Sequence, residues 1–352
     1  MTPADLSMTV LRAVRRAVDE NALRAPVPAR VRVERTRPGG RGDYASAVAL
    51  QLAGPAALSA RDVAEILRER VAGTPGIGRV EITGPGFLNF TLDASADAFA
   101  TLMARVREQG PRYGHGDALA GDLLRCSHAS EVRAAVTADV VGGLVRSQGA
   151  RAHIGCDGVP DPDWARLGIT VEAEEPFPAK IRPVPAGATA GELLRRLGPD
   201  ATRWGLLRPA GHDRAPLGND LLVQGEANAL FLVRYAHARV HALTRGAALL
   251  GFTSEPGEEP GGDEAGALLT LLADHPAALL AAARHRAPDR LARHLEAVAR
   301  AFLDFHDAAS PLPVGDEKPS AAHRSRLALA EAAGTVLAGG LSLLGISAPE
   351  HL

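Results

Sequence analysis

The stretch that decides the fold is FLVRYAHARVHALTR, residues 231–245. Its apolar residues recur at steps of three and four, which is the spacing of the buried face of a helix. Basic residues recur with the same spacing on another face: Arg234, His237, His241 and Arg245. The pattern predicts the opening helix of an all-helical C-terminal domain, packed on one side and able to dock an anionic partner on the other.

Composition places the chain among globular proteins. Its 352 residues are 46% hydrophobic and 23% charged, which predicts two or three domains with buried cores. No run of about 18 apolar residues is present, so we expect no membrane span, and the charges within residues 1–20 argue against a signal peptide. The two cysteines, Cys126 and Cys156, form no CxxC pair, and we expect a cytoplasmic chain without disulfides.

The positive charge is almost all arginine, whose forked guanidinium suits phosphate. The net charge of −2 does not by itself indicate a nucleic-acid-binding protein. The densest basic segment is opposed only by Glu34 and holds Arg24, Arg30, Arg32, Arg35, Arg37 and Arg41. Two interpretations stay open: a solvated edge strand over residues 30–37, or a surface that faces phosphate.

Two motifs organise residues 1–116 as a small α+β domain. Gly-Asp-Tyr-Ala at 42–45 precedes an apolar helix, and GPGFLNF at 84–90 places a turn before alternating strand residues. Ser-x-x-Asp at 59–62 predicts a capped helix between them. In this order the motifs resemble the N-terminal additional domain of arginyl-tRNA synthetases, which in that family contacts the elbow of the tRNA.

That resemblance implies RNA contacts at Phe87 and Asn89, because an aromatic ring and an amide suit unstacked bases. The alternative for Phe87 is a core position. Arg32 and Arg35, from the basic segment, complete the predicted elbow-binding set. Ala47 stands where the family usually has an asparagine, so no polar role is expected at that position.

Residues 117–188 resemble a shortened and degenerate catalytic domain. A strand, a helix and a second strand are predicted over residues 122–156. His128 begins a segment that resembles the family's ATP-binding motif His-x-Gly-His-Leu-Arg. Ser130 replaces the glycine that lets ATP approach, and Glu131 replaces the second histidine, where it would repel phosphate. About thirty residues then stand where the family has roughly two hundred or more, too few to complete a doubly wound sheet.

No other active site is visible in the sequence. Lys180 lacks the family's Met-Ser-Lys context, and no nucleophile elbow, P-loop or HExxH motif is present. His237 and His241 have the spacing of metal ligands but lack a third ligand, so we predict no metal and no cofactor. Cys126 is interpreted as a buried structural cysteine rather than half of a thiolate–histidine pair. Aminoacyl-tRNA ligase activity is therefore not expected, because the ATP motifs are degraded or absent.

Family-like sequence resumes at residue 189. Residues 189–218 resemble the connector that contacts the tRNA stem, where Arg203 and Arg208 are candidates for backbone phosphates or for plain helix packing. Residues 219–352 resemble the helical anticodon-binding (DALR-type) domain, as judged by Tyr-Ala-His-Ala-Arg at 235–239 and the residues that follow it. His275-Pro276 predicts a break between two helices, and Gly345 predicts a C-cap.

The predicted tRNA-binding residues of this domain are Tyr235, His237, Arg239, Arg286, Arg290, Arg293, Phe305 and His306. The three arginines from 286 to 293 are predicted to share one face with Arg300, with no acid among them, which favours phosphate contact. His306 and Leu352 stand where the family usually has tyrosine and methionine, so specificity for the arginine anticodon is left open.

The predicted fold class is an α+β N-terminal domain, a truncated α/β remnant of a Rossmann-type domain, and an all-α C-terminal bundle. The predicted function is a non-catalytic tRNA-binding protein that grips tRNA through its elbow and anticodon domains. One alternative is a tRNA-dependent enzyme that acts with a partner. The other is a protein-interaction module that docks on an intact synthetase or another tRNA-using enzyme.

Overall fold

The structure, a computed structural model, describes residues 3–36, 41–92, 96–170 and 177–352. The chain divides into two compact units, Met1–Leu102 and Met103–Leu352. Arg37 of the basic segment lies outside the described residues. The finer division at residues 116, 188 and 218 stays a prediction.

The first unit is an antiparallel sheet packed against helices. Its elements are α1 (Pro3–Asp19), β1 (Glu34–Arg35), β2 (Tyr44–Ser46), α2 (Val48–Ala56), α3 (Ala60–Val71), β3 (Ile77–Thr83) and β4 (Phe87–Leu92). The strands pair in the order β1-β2-β4-β3. Leu88 and Phe90 of β4 are buried in one core with the apolar residues of α1 and α3. The strand predicted over residues 30–37 is shorter than expected, because β1 pairs through two residues only.

The Gly-Asp-Tyr-Ala motif fastens β2 to β4. Gly42 has φ +75°, and a Cβ there would lie 2.8 Å from the carbonyl oxygen of Phe90, so a side chain does not fit. The Asp43 N–H donates to that same oxygen at 2.8 Å, and the Asp43 carboxylate accepts from the N–H of Leu92 at 2.8 Å. The motif therefore fixes the register of the strand that begins at Phe87.

The second unit begins as a small parallel sheet. Helix α4 (Ala96–Gln109) contains the division between the units, and the sheet follows as β5 (Leu123–Ala129), α5 (Val132–Arg146), β6 (Arg151–Asp157) and β7 (Lys180–Ile181). The order is β6-β5-β7, with β5 parallel to both neighbours. The predicted strand–helix–strand unit is confirmed, and the sheet described gains only the two-residue β7 beyond it.

Helix α6 (Ala190–Leu207) links this sheet to the C-terminal helices. Thr189 and Glu192 form a capping box at its start. Gly198, at φ 75° and ψ 175°, interrupts the helix immediately before Pro199. The connector is thus two helical arms joined at a kink that a glycine makes possible.

Four long helices form the C-terminal bundle: α7 (Ala229–Leu249), α8 (Asp263–His285), α9 (Pro288–Ala308) and α10 (Ala321–Leu343). The predicted break at His275-Pro276 is wrong, because α8 continues through Pro276. Burial of Leu272 and Leu279 on either side outweighs the one hydrogen bond that proline removes. The predicted C-cap is confirmed: Gly345 has φ +68°, and the N–H of the next residue, Ile346, donates to the carbonyl of Leu341 at 2.9 Å.

Helix α8 is the one described helix whose length and apolarity would suffice to cross a membrane. A third of its most apolar window is buried, and it packs along α9. This is weak evidence, because core helices of bundles have the same length and composition.

Candidate functional site

The start of α5 is the place where the sequence predicts a degraded ATP motif. Glu131 is the N-cap, and its Oε2 accepts from the N–H of Ala134 at 2.8 Å. Its Oε1 accepts from the N–H of Ala186 at 2.8 Å. A helix N-terminus attracts anions through its free N–H groups and its dipole. Here the chain's own carboxylate occupies that position and also holds the segment before α6.

The two other residues of the degraded motif are also engaged within the fold. His128 is buried at the end of β5, with Nδ1 2.8 Å from the carbonyl of Ala129 and its ring 5.5 Å from that of Trp164. Burial lowers the pKa of His128, which keeps the ring neutral. Ser130 donates through Oγ to the carbonyl of Val159 at 2.5 Å. The cavity beside His128 measures about 10 Å³, room for about one water molecule.

Arg133, two residues beyond the cap, is a structural hub. Its side chain is 0% exposed and donates five hydrogen bonds. All five acceptors are backbone carbonyls, those of Val184, Leu206, Pro209, Ala210 and Asp213, at 2.6–3.2 Å. These carbonyls belong to the last turn of α6 and to the segments that flank it, so the arginine ties α5 to the connector. The sequence signal is an arginine among apolar residues in the first turn of a largely apolar helix.

Lys180, the one lysine considered for a catalytic loop, is paired internally. Its Nζ lies 2.7 Å from the carboxylate of Asp157, which ends β6 on the other side of β5. The N–H of Phe177 donates to Ser127 Oγ at 2.5 Å, which lays the segment before β7 along the sheet. These two contacts hold residues 177–181 beside β5 and pair the lysine with a carboxylate.

Phe87 and Asn89, the predicted elbow pair, have different environments. Phe87 is 38% exposed at the first position of β4, so the core alternative is wrong. Asn89 is only 5% exposed, and its amide donates to Thr83 Oγ1 at 2.6 Å across the hairpin. The ring is therefore available to a base, while the amide stabilises the turn that presents the ring.

Arg32 and Arg35 both have partners within the first unit. Arg32 lies 2.7 Å from the carboxylate of Glu34. The guanidinium of Arg35 stands 5.5 Å from the centre of the Tyr44 ring and 3.3 Å from its hydroxyl. The exposed Arg32–Glu34 pair adds little stability, so Arg32 can exchange that partner for a phosphate.

The basic stripe of α7 is covered by the last residues of the chain, which corrects the prediction of an open docking face. His237 is buried, with Nδ1 2.9 Å from the carbonyl of Pro349, and burial lowers its pKa. Arg245 lies 3.3 Å from His351, and Arg234 lies 3.4 Å from Ser347 Oγ. The stripe is present in the sequence, but its partner is the chain's own C-terminal segment.

Three further predicted residues lie around the middle of α7 and the end of α9. Tyr235 is exposed and stacks on Phe231 with ring centres 5.7 Å apart. Phe305 is 1% exposed, so it is a core residue and not the predicted base-stacking ring. His306 Nε2 accepts from Arg239 at 3.1 Å. Its Nδ1 lies 3.0 Å from the Asp307 carboxylate, so the neutral ring carries its proton on Nδ1.

The predicted arginine face is not free of acids, which corrects the sequence interpretation. Arg293 pairs with Asp289 at 3.0 Å, and Arg300 pairs with Glu296 at 3.0 Å. The same Glu296 pairs with Arg208 of the connector at 3.1 Å.

Two members of the set differ from the rest. Arg286 is not on α9 at all: it ends α8 with φ 51°, and Arg290 follows in the first turn of α9. Both are exposed, and in the described part of the chain neither has a carboxylate within 4.0 Å.

Arg203, offered as a phosphate contact, is instead buried. Its guanidinium donates to the carbonyls of Leu344 at 2.7 Å and Leu167 at 2.6 Å, and pairs with Asp139 at 2.7 Å. The plain packing alternative is therefore the one the structure supports. One arginine joins the end of α10, the short helix after β6, and α5.

A histidine cluster that the sequence analysis did not select lies between Tyr113 and α9. The His275 ring stacks on Tyr113 at 5.8 Å and lies 5.2 Å from the ring of His294. Burial lowers the pKa of His275 to about 3 and that of His294 to about 4. Burial also lowers the pKa of the neighbouring His115. No periodic pattern marks this cluster, because the three residues come from separate elements.

Metal and thiol chemistry find no support among the residues that the structure describes. No group of three or more histidine, cysteine, aspartate or glutamate side chains there is arranged to hold a metal ion. Cys126 and Cys156 are buried and are not joined in a disulfide, and burial raises the pKa of Cys156, which keeps it protonated.

Comparison with protein families matches both ends of the chain. Residues 8–92 match the arginyl tRNA synthetase N terminal domain, and residues 233–352 match the DALR anticodon binding domain. The chain is similar to the arginine–tRNA ligase of Frankia alni, at 27% identity over 561 positions that cover all of both chains. It is 26% identical to that of Renibacterium salmoninarum over 558 positions, again covering both chains fully. The ligase of Micrococcus luteus is 39% identical over 165 residues, 43% of this chain and 29% of that ligase.

Solved structures agree on the fold. The arginyl-tRNA synthetase of Thermus thermophilus has a TM-score of 0.70 at 15% identity, covering all of both chains. That of Plasmodium falciparum has a TM-score of 0.65 at 10% identity, covering 99% of each. The alignment with the Frankia alni ligase has 561 positions and this chain has 352 residues, so at least 209 positions of that ligase have no counterpart here. The two family matches leave residues 93–232 between them.

Proposed function

We propose, from the premise that the chain is an arginyl-tRNA synthetase-related protein, that it binds tRNA without activating an amino acid. Its two matched domains are the ones named for the N-terminal region and for anticodon binding. The segment between them is where an activating enzyme needs its ATP site. On this proposal the protein works in the cytoplasm with tRNA as its principal partner.

The observation that carries the proposal is the position of Glu131. An activating enzyme of this family needs the start of α5 to receive the phosphates of ATP, which a helix N-terminus favours. In this chain both carboxylate oxygens of Glu131 already accept N–H groups there. A phosphate brought to the same place would meet a like charge at hydrogen-bonding distance, which is strongly unfavourable in a partly buried site.

The surroundings of Glu131 support the same conclusion. The adjacent cavity of about 10 Å³ is far below the several hundred Å³ typical of small-molecule sites. Lys180 is held by Asp157, and Arg133 is held by five carbonyls, so neither cation is available to a leaving pyrophosphate. Both of these cations have structural partners instead.

The side chains that remain available suit RNA. Phe87 and Tyr235 are exposed aromatic rings in the two matched domains, and exposed rings stack on unpaired bases. Arg286 and Arg290 are exposed cations able to neutralise backbone phosphates. Contacts from two domains to one tRNA would raise the affinity through effective concentration rather than through any single strong contact.

Two measurements test the proposal. ATP–pyrophosphate exchange with each of the amino acids should stay at background, and filter binding should detect tRNA at low salt. Affinity should fall steeply, about tenfold or more, between roughly 50 and 200 mM salt if several phosphates are neutralised. The Arg290→Ala, Arg293→Ala variant should bind more weakly than the unchanged protein. Exchange above background, or no tRNA binding at low salt, would contradict the proposal.

A further inference from the structure

One feature that the proposed function leaves unexplained is a cavity of about 320 Å³ in the second unit. It lies between the loop that follows α6, residues 209–212, and the turn between α8 and α9, residues 285–290. Thr137 and Arg133 of α5 line it as well. None of the degraded-motif residues His128, Ser130 and Glu131 belongs to its lining.

The rim of this cavity is positively charged. Arg286 and Arg290 are exposed there, and neither has a carboxylate within 4.0 Å among the described residues. Asp289 also lines the cavity, but its carboxylate is bound to Arg293 at 3.0 Å. His212 adds an exposed imidazole, 3.7 Å from the carboxylate of Asp213.

The wall of the cavity adds a third guanidinium. Arg133 is fully buried, and each of its five hydrogen bonds goes to a neutral carbonyl rather than to a carboxylate. The carboxylates of Glu131, Asp213 and Asp289 act on it only through longer-range attraction. An arginine keeps its charge even when buried, so it contributes positive potential to the cavity, and no carboxylate bonded directly to it cancels that potential.

We propose that this cavity is a phosphate-binding site, filled by the phosphate of a nucleotide unit, whether a backbone phosphate of bound RNA or a free mononucleotide. The two free guanidiniums supply forked donors to the phosphate oxygens, and Arg133 supplies the field behind them. The volume is at the lower end of small-molecule sites, enough for one nucleotide unit. The RNA source rests on the proposed tRNA binding, whereas the mononucleotide source does not.

The test uses the full-length protein and two double variants. Arg286→Gly with Arg290→Gln removes both rim charges, and glycine is well suited to φ 51° at position 286. Arg125→Gln with Arg151→Gln is the matched control, since both arginines are exposed and line no part of the cavity. A third variant, Gly211→Glu, places a carboxylate in the cavity at a position where a Cβ meets only ordinary contacts.

Titration calorimetry with inorganic phosphate and with AMP tests the free source, and filter binding of tRNA over a salt series tests the RNA source. If the site takes free ligands, AMP affinity falls roughly tenfold or more in the rim variant and in Gly211→Glu, but not in the control. If it takes RNA, the slope of log affinity against log salt becomes shallower by about one in the rim variant only.

The proposal is overturned if the rim variant matches the unchanged protein in both assays, or if the control variant loses as much as the rim variant. Its failure is distinguishable from that of the proposed function. If the rim variant matches the unchanged protein in both assays and tRNA still binds, the site is removed but the function is kept. AMP binding without any tRNA binding removes the function but keeps the site. Circular dichroism of each variant checks that the fold is retained.

Discussion

Two regions of the second unit use arginine differently: the small sheet with its connector, where arginines are buried, and the turn between α8 and α9, where they are exposed. In the first region, Arg133 and Arg203 are buried and donate to carbonyls of irregular segments. In the second, Arg286 and Arg290 lie exposed and without ion pairs among the described residues. The difference follows from the backbone around them. Irregular segments leave carbonyls that need donors, whereas the carbonyls of α9 are satisfied within the helix.

The sharpest test of this contrast is Arg133→Met, which would leave five carbonyls, most of them partly buried, without their donor. We expect a loss of more than about 4 kcal/mol in the free energy of unfolding, or failure to fold, because each unpaired buried group costs about 1–3 kcal/mol. Arg290→Met is the matched control, with an expected change within about 0.5 kcal/mol. Urea denaturation measures both. Similar losses in the free energy of unfolding for the two variants would show that the buried arginine is no more important for stability than the exposed one.

The histidine cluster predicts an acid-sensitive second unit. In the unfolded chain the pKa of His275 and of His294 is 6.5, whereas burial in the folded chain lowers these pKa values to about 3 and about 4. Below pH 6.5 the unfolded chain therefore binds protons that the folded chain does not. The stabilising contribution of each neutral histidine is fully present above that pH and is lost as the pH decreases, by roughly 1 kcal/mol per histidine at pH 5.5.

Thermal unfolding between pH 7.5 and 5.5 measures this loss while the carboxylates stay ionised. His275→Gln should flatten the pH dependence. His212→Gln, at a histidine whose side chain is 86% exposed, should leave it unchanged. A pH-independent melting temperature in the unchanged protein would contradict this prediction, because it would show that protonation of the cluster does not destabilise the folded chain.

Phe87→Ala extends the comparison to the first unit, where an exposed ring is available for stacking. We expect tRNA affinity to fall by about 1–2 kcal/mol, the usual worth of one stacked base. Stability should change little, because the ring is exposed. Leu58→Ala, an exposed apolar residue of the same unit, is the control and should bind tRNA normally. Equal affinity of the two variants would remove Phe87 from the interface.

Glu131→Ala is expected to have the smallest effect. Loss of the N-cap should lower the free energy of unfolding by about 1–2 kcal/mol, since the N–H of Ala186 also loses its acceptor. Glu226→Ala, at an exposed loop residue, should be neutral. ATP–pyrophosphate exchange should remain at background in both variants. Exchange activity in Glu131→Ala would mean that one carboxylate alone silences the site.

The sequence predicted the layout of the fold well, because local patterns decide it. The strand–helix–strand unit, the capped α3 and the Gly345 terminus each follow from spacing or from one conformational preference. The exception is α8, where proline at 276 predicted a break that burial of the surrounding leucines overrides. Tertiary packing, which no local pattern records, determined that helix.

The candidate sites were predicted less well, because they depend on long-range partners. Phe305 and His237 have the right residue types for RNA contact, yet one is in the core and the other binds the carbonyl of Pro349. The arginine face was expected to lack acids, but Asp289 and Glu296 lie one helical turn from its members. The cavity at the α8–α9 turn needs three separate segments, so no stretch of sequence could indicate it.

The position of Arg203 has a practical consequence for anyone who wishes to isolate the C-terminal bundle. This side chain lies outside α7–α10, yet it supplies the donor to the last carbonyl before Gly345 and connects it to Leu167 and Asp139. A fragment that starts at residue 219 would lose that clamp and expose the surface where α5 and α6 pack on α9. We therefore expect the bundle to need residues of α5 and α6 for its stability, and a fragment without them to be less stable than the full chain.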